Sequence, residues 1–159
     1  MKALTFAQEF ALIALNAQDS LHMTTVKKIA VRCMAAAAIL EWAMAEDGLQ
    51  SEFSTISEKD VENAAAFPHR QEVFRALLKK KGAVQMPLPE LLAQVTHFSR
   101  RTLKKIEHAF SDPLKGMDLL EEIPNLLGCD MDYDSASVTM REYRSDCATY
   151  TRLTEGMRA

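Results

Sequence analysis

The sequence predicts a mainly α-helical chain: one compact multi-helix bundle over residues 1–159, built around a central small-residue helix, with room for one short β-hairpin. Three observations carry that expectation. Ala, Leu, Glu, Lys and Met, which lose least on entering a helix, are plentiful, whereas Gly and Pro number five each. Apolar residues recur every three or four positions along much of the chain. Caps, prolines and glycines interrupt those recurrences at intervals that suit short connections, and no internal repeat, low-complexity tract or Gly/Ser linker divides the chain.

The first helix follows from Thr5-Phe6-Ala7-Gln8, a capping box in which the threonine hydroxyl and the glutamine side chain satisfy each other's backbone amides. Phe6, Phe10, Ile13 and Ala14 keep helical spacing to Asn16, and the polar run from Asp19 to Thr25 ends it. Thr24 or Thr25 caps a second helix that ends near Gly48. Its Val26, Ile29, Cys33, Ala37, Leu40 and Met44 are expected to form the core-facing stripe, Ala35 to Ala38 to admit close neighbours, and Trp42 to pack in or beside the core.

Ser57 with Asp60 marks a third start, running through Val61 to Ala66 until Pro68. A helix over His69 to Lys81 then stops at Gly82, with Lys79, Lys80 and Lys81 complementing the dipole of its last turn. Pro87 and Pro89 open a long amphipathic helix from Leu88 to Phe110, whose apolar face is Leu88, Leu91, Leu92, Val95, Phe98, Thr102, Ile106 and Phe110. Asp112-Pro113 and Pro124 punctuate a short helical piece around Met117 to Ile123, and Cys129 to Val138 is the place for a strand or hairpin. Val138, Tyr143, Cys147, Tyr150 and Leu153 suggest a last helix.

Composition limits function more than it names it. Hydrophobic residues at 48% and charged residues at 26% belong to a folding chain, not a disordered one. A net charge of −3 gives no global attraction for nucleic acid or acidic lipid, so either would need a local basic patch. Nucleic acid is not expected, because no aromatic pattern is interleaved with the basic residues. Cys33, Cys129 and Cys147 lack metal or redox spacing and are read as reduced, packed thiols. Met1 to Gln8 lacks a signal-peptide pattern, and Arg32 and Glu41 interrupt the apolar run Ala30 to Met44, which points to a cytoplasmic chain with a buried helix.

No nucleophile elbow, phosphate loop or dinucleotide fingerprint is present, so neither enzymatic activity nor a cofactor is expected. Asp130, Asp132 and Asp134 open like a calcium loop, but Ser135 replaces the turn glycine and Arg141 the bidentate glutamate. His22 and His69 are read as surface residues. The remaining chemical feature is a stripe on the long helix: His97, Arg101, Lys104 and His108, flanked by Arg100 and Lys105. Such a stripe suits phosphate, since Arg forks onto its oxygens and Lys adds a point charge; it also suits a plain solvated face. His97 and His108 lie about 16 Å apart at 1.5 Å rise per residue and cannot share a metal, so no metal site is expected.

The opening Leu4-Thr5-Phe6-Ala7-Gln8-Glu9-Phe10-Ala11-Leu12-Ile13-Ala14-Leu15 resembles the start of the Golgi phosphoprotein 3-like family, where a Leu-Thr-x-x-Glu-Glu-type helix leads the domain. Ile39-Leu40-Glu41-Trp42-Ala43-Met44 looks like the end of that family's small-residue helix, and Phe98 to Phe110 followed by Leu126-Leu127-Gly128 is similar to its later basic helix and Leu-x-Gly turn. The resemblance implies a mostly helical fold with a projecting β-hairpin, peripheral membrane association through phosphatidylinositol 4-phosphate, and binding of cytoplasmic protein tails. Val26 stands where the family's headgroup-binding tryptophan falls and Ala35 near its helix arginine; Arg101 and Lys104 have the spacing of its Arg-x-x-Arg pair, which Arg100 and Leu103 do not complete. The expectation is therefore a non-enzymatic adaptor of the bacterial type that meets anionic lipid headgroups or an acidic protein partner through Arg100, Arg101, Lys104, Lys105, His97 and His108. The alternative is a protein-interaction module or homo-oligomer, suggested by nine methionines.

Overall fold

Helix α1 (Phe6–Leu15) starts on the capping box that the sequence announces: the Gln8 amide donates to Thr5 Oγ1 at 3.2 Å and the Thr5 amide donates to Gln8 Oε1 at 3.1 Å. The structure, a computed structural model, describes residues 3–45, 52–124 and 141–158. Helix α2 (Thr25–Ala45) begins on Thr24, whose hydroxyl accepts from the Lys27 amide at 3.1 Å. Strand β1 (Ser54–Ser57) leads into α3 (Glu58–Asn63), and Pro68 occupies the first turn of α4 (Pro68–Leu78), where its missing N–H costs nothing. Strand β2 (Ala83–Met86), α5 (Leu88–Ala93), a 3-10 turn over Gln94–His97 and α6 (Arg100–Gly116) follow. Strands β3 (Leu120–Pro124) and β4 (Arg141–Ser145) and helix α7 (Cys147–Arg158) complete the order.

The chain is thus mainly α, with seven α-helices and two short two-stranded antiparallel sheets among the described residues. Helices α1, α4 and α6 all pack on α2, and the buried apolar side chains form one connected cluster that includes Leu12, Met34, Ile39, Phe74, Leu103 and Phe110. Trp42 packs edge-on against Phe74, with ring centroids 5.4 Å apart, as the sequence leads one to expect. Ala35 and Ala38 are fully buried, which fits their small size at the axis of the bundle.

The face of α2 that meets the core is not the expected one. Val31, Met34, Ala35, Ala38, Ile39 and Trp42 are buried, together with Lys27 and Glu41, whereas Val26, Ile29, Cys33 and Met44 are exposed. This helix is apolar around most of its circumference, so periodicity alone offers two stripes. Packing selects the one carrying the alanines, because only small side chains let α1 come close.

Four further corrections have local causes. The helix expected from Leu88 to Phe110 is broken: Phe98 is extended and buried, and the Ser99 hydroxyl accepts from the Thr102 amide at 3.2 Å, so a new helix starts at Arg100. That helix runs through Asp112-Pro113 to Gly116: Pro113 removes the amide that would bond the Ala109 carbonyl, and the full burial of Leu114 in the core offsets that loss. Helix α4 ends at Leu78, short of Gly82, since Lys79 takes the left-handed cap at φ 47° and donates its amide to the Arg75 carbonyl at 3.2 Å. The piece expected to be helical around Met117 to Ile123 is largely strand β3, paired with β4 from Leu120↔Ser145 to Pro124↔Arg141.

Tyr143, expected in the last helix, sits in β4, whose backbone also exchanges hydrogen bonds with the α1–α2 connection: Ala17 N–H with the Tyr143 carbonyl at 2.8 Å and Tyr143 N–H with the Gln18 carbonyl at 2.9 Å. The sheet of β1 and β2, in register Ser54↔Met86 to Ser57↔Ala83, was not foreseen; four-residue strands with one buried apolar side chain, Ile56, carry almost no period. The strand or hairpin expected over residues 129–138, the Asp130 to Asp134 run and the cap at Gly48 lie outside the described residues.

Candidate functional site

The Ser99 cap that restarts the chain into α6 also aims its first turn at the end of α4. Between the two helices runs a groove of about 460 Å³, lined by Arg75, Lys79 and Lys80 from the α4 end and by His97, Ser99 and Lys105 from the α6 side. Beyond Arg75 and Lys105 it continues into a second hollow of about 680 Å³ that reaches His108, Asp112 and Pro113. Glu72 is the one carboxylate shared by both stretches; it pairs with Arg75 at 3.4 Å, an exposed contact worth little. Lys115, at the far end of α6, pairs with Glu122 at 2.8 Å, whereas Lys79, Lys80, Arg100, Arg101, Lys104 and Lys105 form no ion pair with a described residue. The amides of Arg100 and Arg101, in the first turn of α6, have no intrahelical acceptor and add the positive end of the helix dipole at the groove's mouth.

Of the residues singled out in sequence, Arg100, Arg101, Lys104, Lys105 and His108 are all exposed on one side of α6. His97 is also exposed but does not continue their stripe, because the break at Phe98–Ser99 takes it out of the helix; it reaches the same groove as Lys105 from the 3-10 turn. Arg75, Lys79 and Lys80 were missed as partners of that stripe. Their only sequence signal was a lysine run, which a helix dipole explains equally well; that α4 lies against α6 is a tertiary fact.

Two further polar clusters lie inside the core, and both were overlooked. Lys27 Nζ sits between the oxygens of Glu107, at 3.0 and 3.1 Å, and donates to the Asp19 carbonyl at 2.6 Å. The Tyr143 hydroxyl donates to the same carboxylate, and burial together with that neighbouring negative charge pushes the phenol well above its ordinary range, so it stays a neutral donor. In the second cluster Glu41 accepts from the Ala7 amide at 3.0 Å, from Arg70 at 2.8 Å and faces His69 Nε2 at 3.0 Å. Burial alone would raise Glu41; hydrogen bonds from His69, Thr5, Ala7 and Arg70 outweigh it and hold the carboxyl at about 2.

His69 is therefore a core residue, fully buried and stacked near Phe110 at 4.8 Å, and not the surface histidine its polar surroundings suggested. His22 is exposed and pairs with Asp19 at 3.1 Å. The thiols are corrected too: Cys33 and Cys147 are free and exposed, and Cys129 is outside the described residues. The buried clusters clamp α2 to α6 and β4, and α1 to α4, with their charges turned on one another. The basic groove, by contrast, presents its cations outward.

Among the described residues no three His, Cys, Asp or Glu side chains are grouped to hold a metal ion, and no helix is long and apolar enough to cross a membrane. Comparison with protein-family models, with curated proteins and with solved structures finds no significant match to this chain.

Proposed function

We propose that this chain is a non-enzymatic helical adaptor that docks peripherally on an acidic membrane surface, with the α4–α6 groove and the outward side of α6 as its contact face. The observation that carries this reading is the convergence of Arg75, Lys79, Lys80 and Lys105 from two helices on one open groove, continued by Arg100, Arg101 and Lys104 on α6. Each cation near an acidic leaflet contributes about 1 kcal/mol, so several acting together give salt-sensitive attachment despite a net charge of −3. The resemblance to the Golgi phosphoprotein 3-like family supports the same reading, since it implies phosphoinositide-linked peripheral association; the departures at Val26 and Ala35 favour general acidic lipid over one headgroup.

Co-sedimentation with phosphatidylcholine vesicles, with and without phosphatidylserine, tests it. Binding should require the acidic lipid, fall steeply between about 50 and 300 mM salt, and drop at least tenfold in the Arg101→Glu/Lys104→Glu protein. Equal binding to neutral vesicles, or binding untouched by charge reversal, contradicts the proposal.

A further inference from the structure

Two of the chain's four histidines stand in the basic groove, one in each stretch. His69 is buried in the core and His22 pairs with Asp19, whereas His97 and His108 are exposed and form no ion pair with a described residue. The fixed charges around the two rings differ. Near His97, Arg75, Lys79, Lys80 and Lys105 face Glu72. Near His108, Arg75 and Lys105 face Glu72 and Asp112, two cations against two carboxylates. Counting each residue once, four cations and two carboxylates give the groove a formal charge of +2 with both imidazoles neutral and +4 with both protonated.

The charged groups on the neighbouring elements do not alter that balance. Arg32 of α2 donates to the Phe98 carbonyl at 3.3 Å, and the charged residue of α5 is the exposed Glu90. On α6, Lys104 lies one turn before His108 on the outward side, and Lys115, beyond Asp112, is paired with Glu122 at 2.8 Å.

We infer that His97 and His108 make the groove's hold on an acidic membrane surface depend on pH, tightening as acid protonates the two rings. The inference rests on the membrane reading above and adds its regulation. Linkage sets the sign: a negative surface favours the protonated imidazole, so binding takes up protons and acid strengthens it. Between about pH 5 and 8 imidazole is the side chain that ordinarily changes charge, while guanidinium and ammonium groups stay charged and carboxylates ordinarily titrate below that range. Each cation added near an acidic leaflet is worth about fivefold in affinity, so both rings together give about 30-fold when fully protonated.

The test is co-sedimentation of the full chain with phosphatidylcholine vesicles containing phosphatidylglycerol, whose phosphodiester keeps its charge, at about pH 7.5 and about pH 5.5 in about 100 mM salt. Each protein is first shown to be folded at both pH values by circular dichroism. The native chain should bind at least about tenfold tighter at the lower pH. His97→Gln/His108→Gln, which keeps His22 and His69, should show a ratio between its two affinities within about twofold of unity. His97→Arg/His108→Arg, with its charge fixed, should also lose the ratio and bind at the higher pH about as tightly as the native chain does at the lower. Equal native binding at the two pH values, or a glutamine protein that keeps the native ratio, overturns the inference and leaves the membrane reading standing. Absence of binding to the acidic vesicles at either pH overturns both.

Discussion

Helices α2 and α6 are the two longest among the described residues and divide their surfaces in opposite ways. Helix α6 separates more sharply: Leu103, Ile106, Phe110 and Leu114 turn inward with a single charged residue, Glu107, among them, while Arg100, Arg101, Lys104, Lys105 and His108 face solvent. Helix α2 does the reverse at five positions, burying Lys27 and Glu41 and exposing Val26, Ile29 and Met44. Such an inversion is affordable only because each buried charge has a partner: Glu107 for Lys27, and His69 and Arg70 for Glu41. Charge alone therefore does not mark the outside of a helix.

The buried charges of α2 give the largest expected effect. Lys27→Ala or Glu107→Ala strands one ion in the core and should cost about 3–5 kcal/mol in urea denaturation, whereas Lys27→Met combined with Glu107→Leu should recover much of that loss. Next comes a direct test of the two faces of α2. Met34→Ala, on the inner face, should cost about 2–5 kcal/mol, and Ile29→Ala, on the outer face, should stay within about 0.5 kcal/mol. Similar losses at both positions would mean that the faces are assigned wrongly.

Glu41 provides a pH-dependent version of the same comparison. Its carboxyl is held at about 2 in the folded chain against an ordinary 4.5, so its contribution is fully present above about pH 4.5 and is lost as the pH falls toward 2. Thermal melts between about pH 6 and pH 3 should therefore drop further for the native chain than for Glu41→Gln. The smallest effect is expected at the α6 cap. Ser99→Ala removes the acceptor for the Thr102 amide and should cost about 1 kcal/mol.

Much of the helical order was legible because it depends on local chemistry. The Thr5–Gln8 box, Pro68 and the separation of charge on α6 each act within a few residues. Other features depended on contacts between distant segments. Nothing near Glu107 announces Lys27 eighty positions earlier, although Glu107 does fall on the apolar side of α6 beside Leu103 and Phe110, and that was a usable signal. The cations of α6 were found for the same local reason, while Arg75, Lys79 and Lys80 joined them only through the packing of α4 on α6.

The contrast between the helices, and the functional reading that rests on it, meet in one measurement: co-sedimentation of the native chain, Ile29→Ser and Arg101→Glu/Lys104→Glu with phosphatidylserine-containing vesicles at low salt. Ile29→Ser should bind as the native chain does, and the charge-reversed protein should remain in the supernatant. Retention of the charge-reversed protein on the vesicles, or loss of binding in Ile29→Ser, would contradict docking through the basic face of α6.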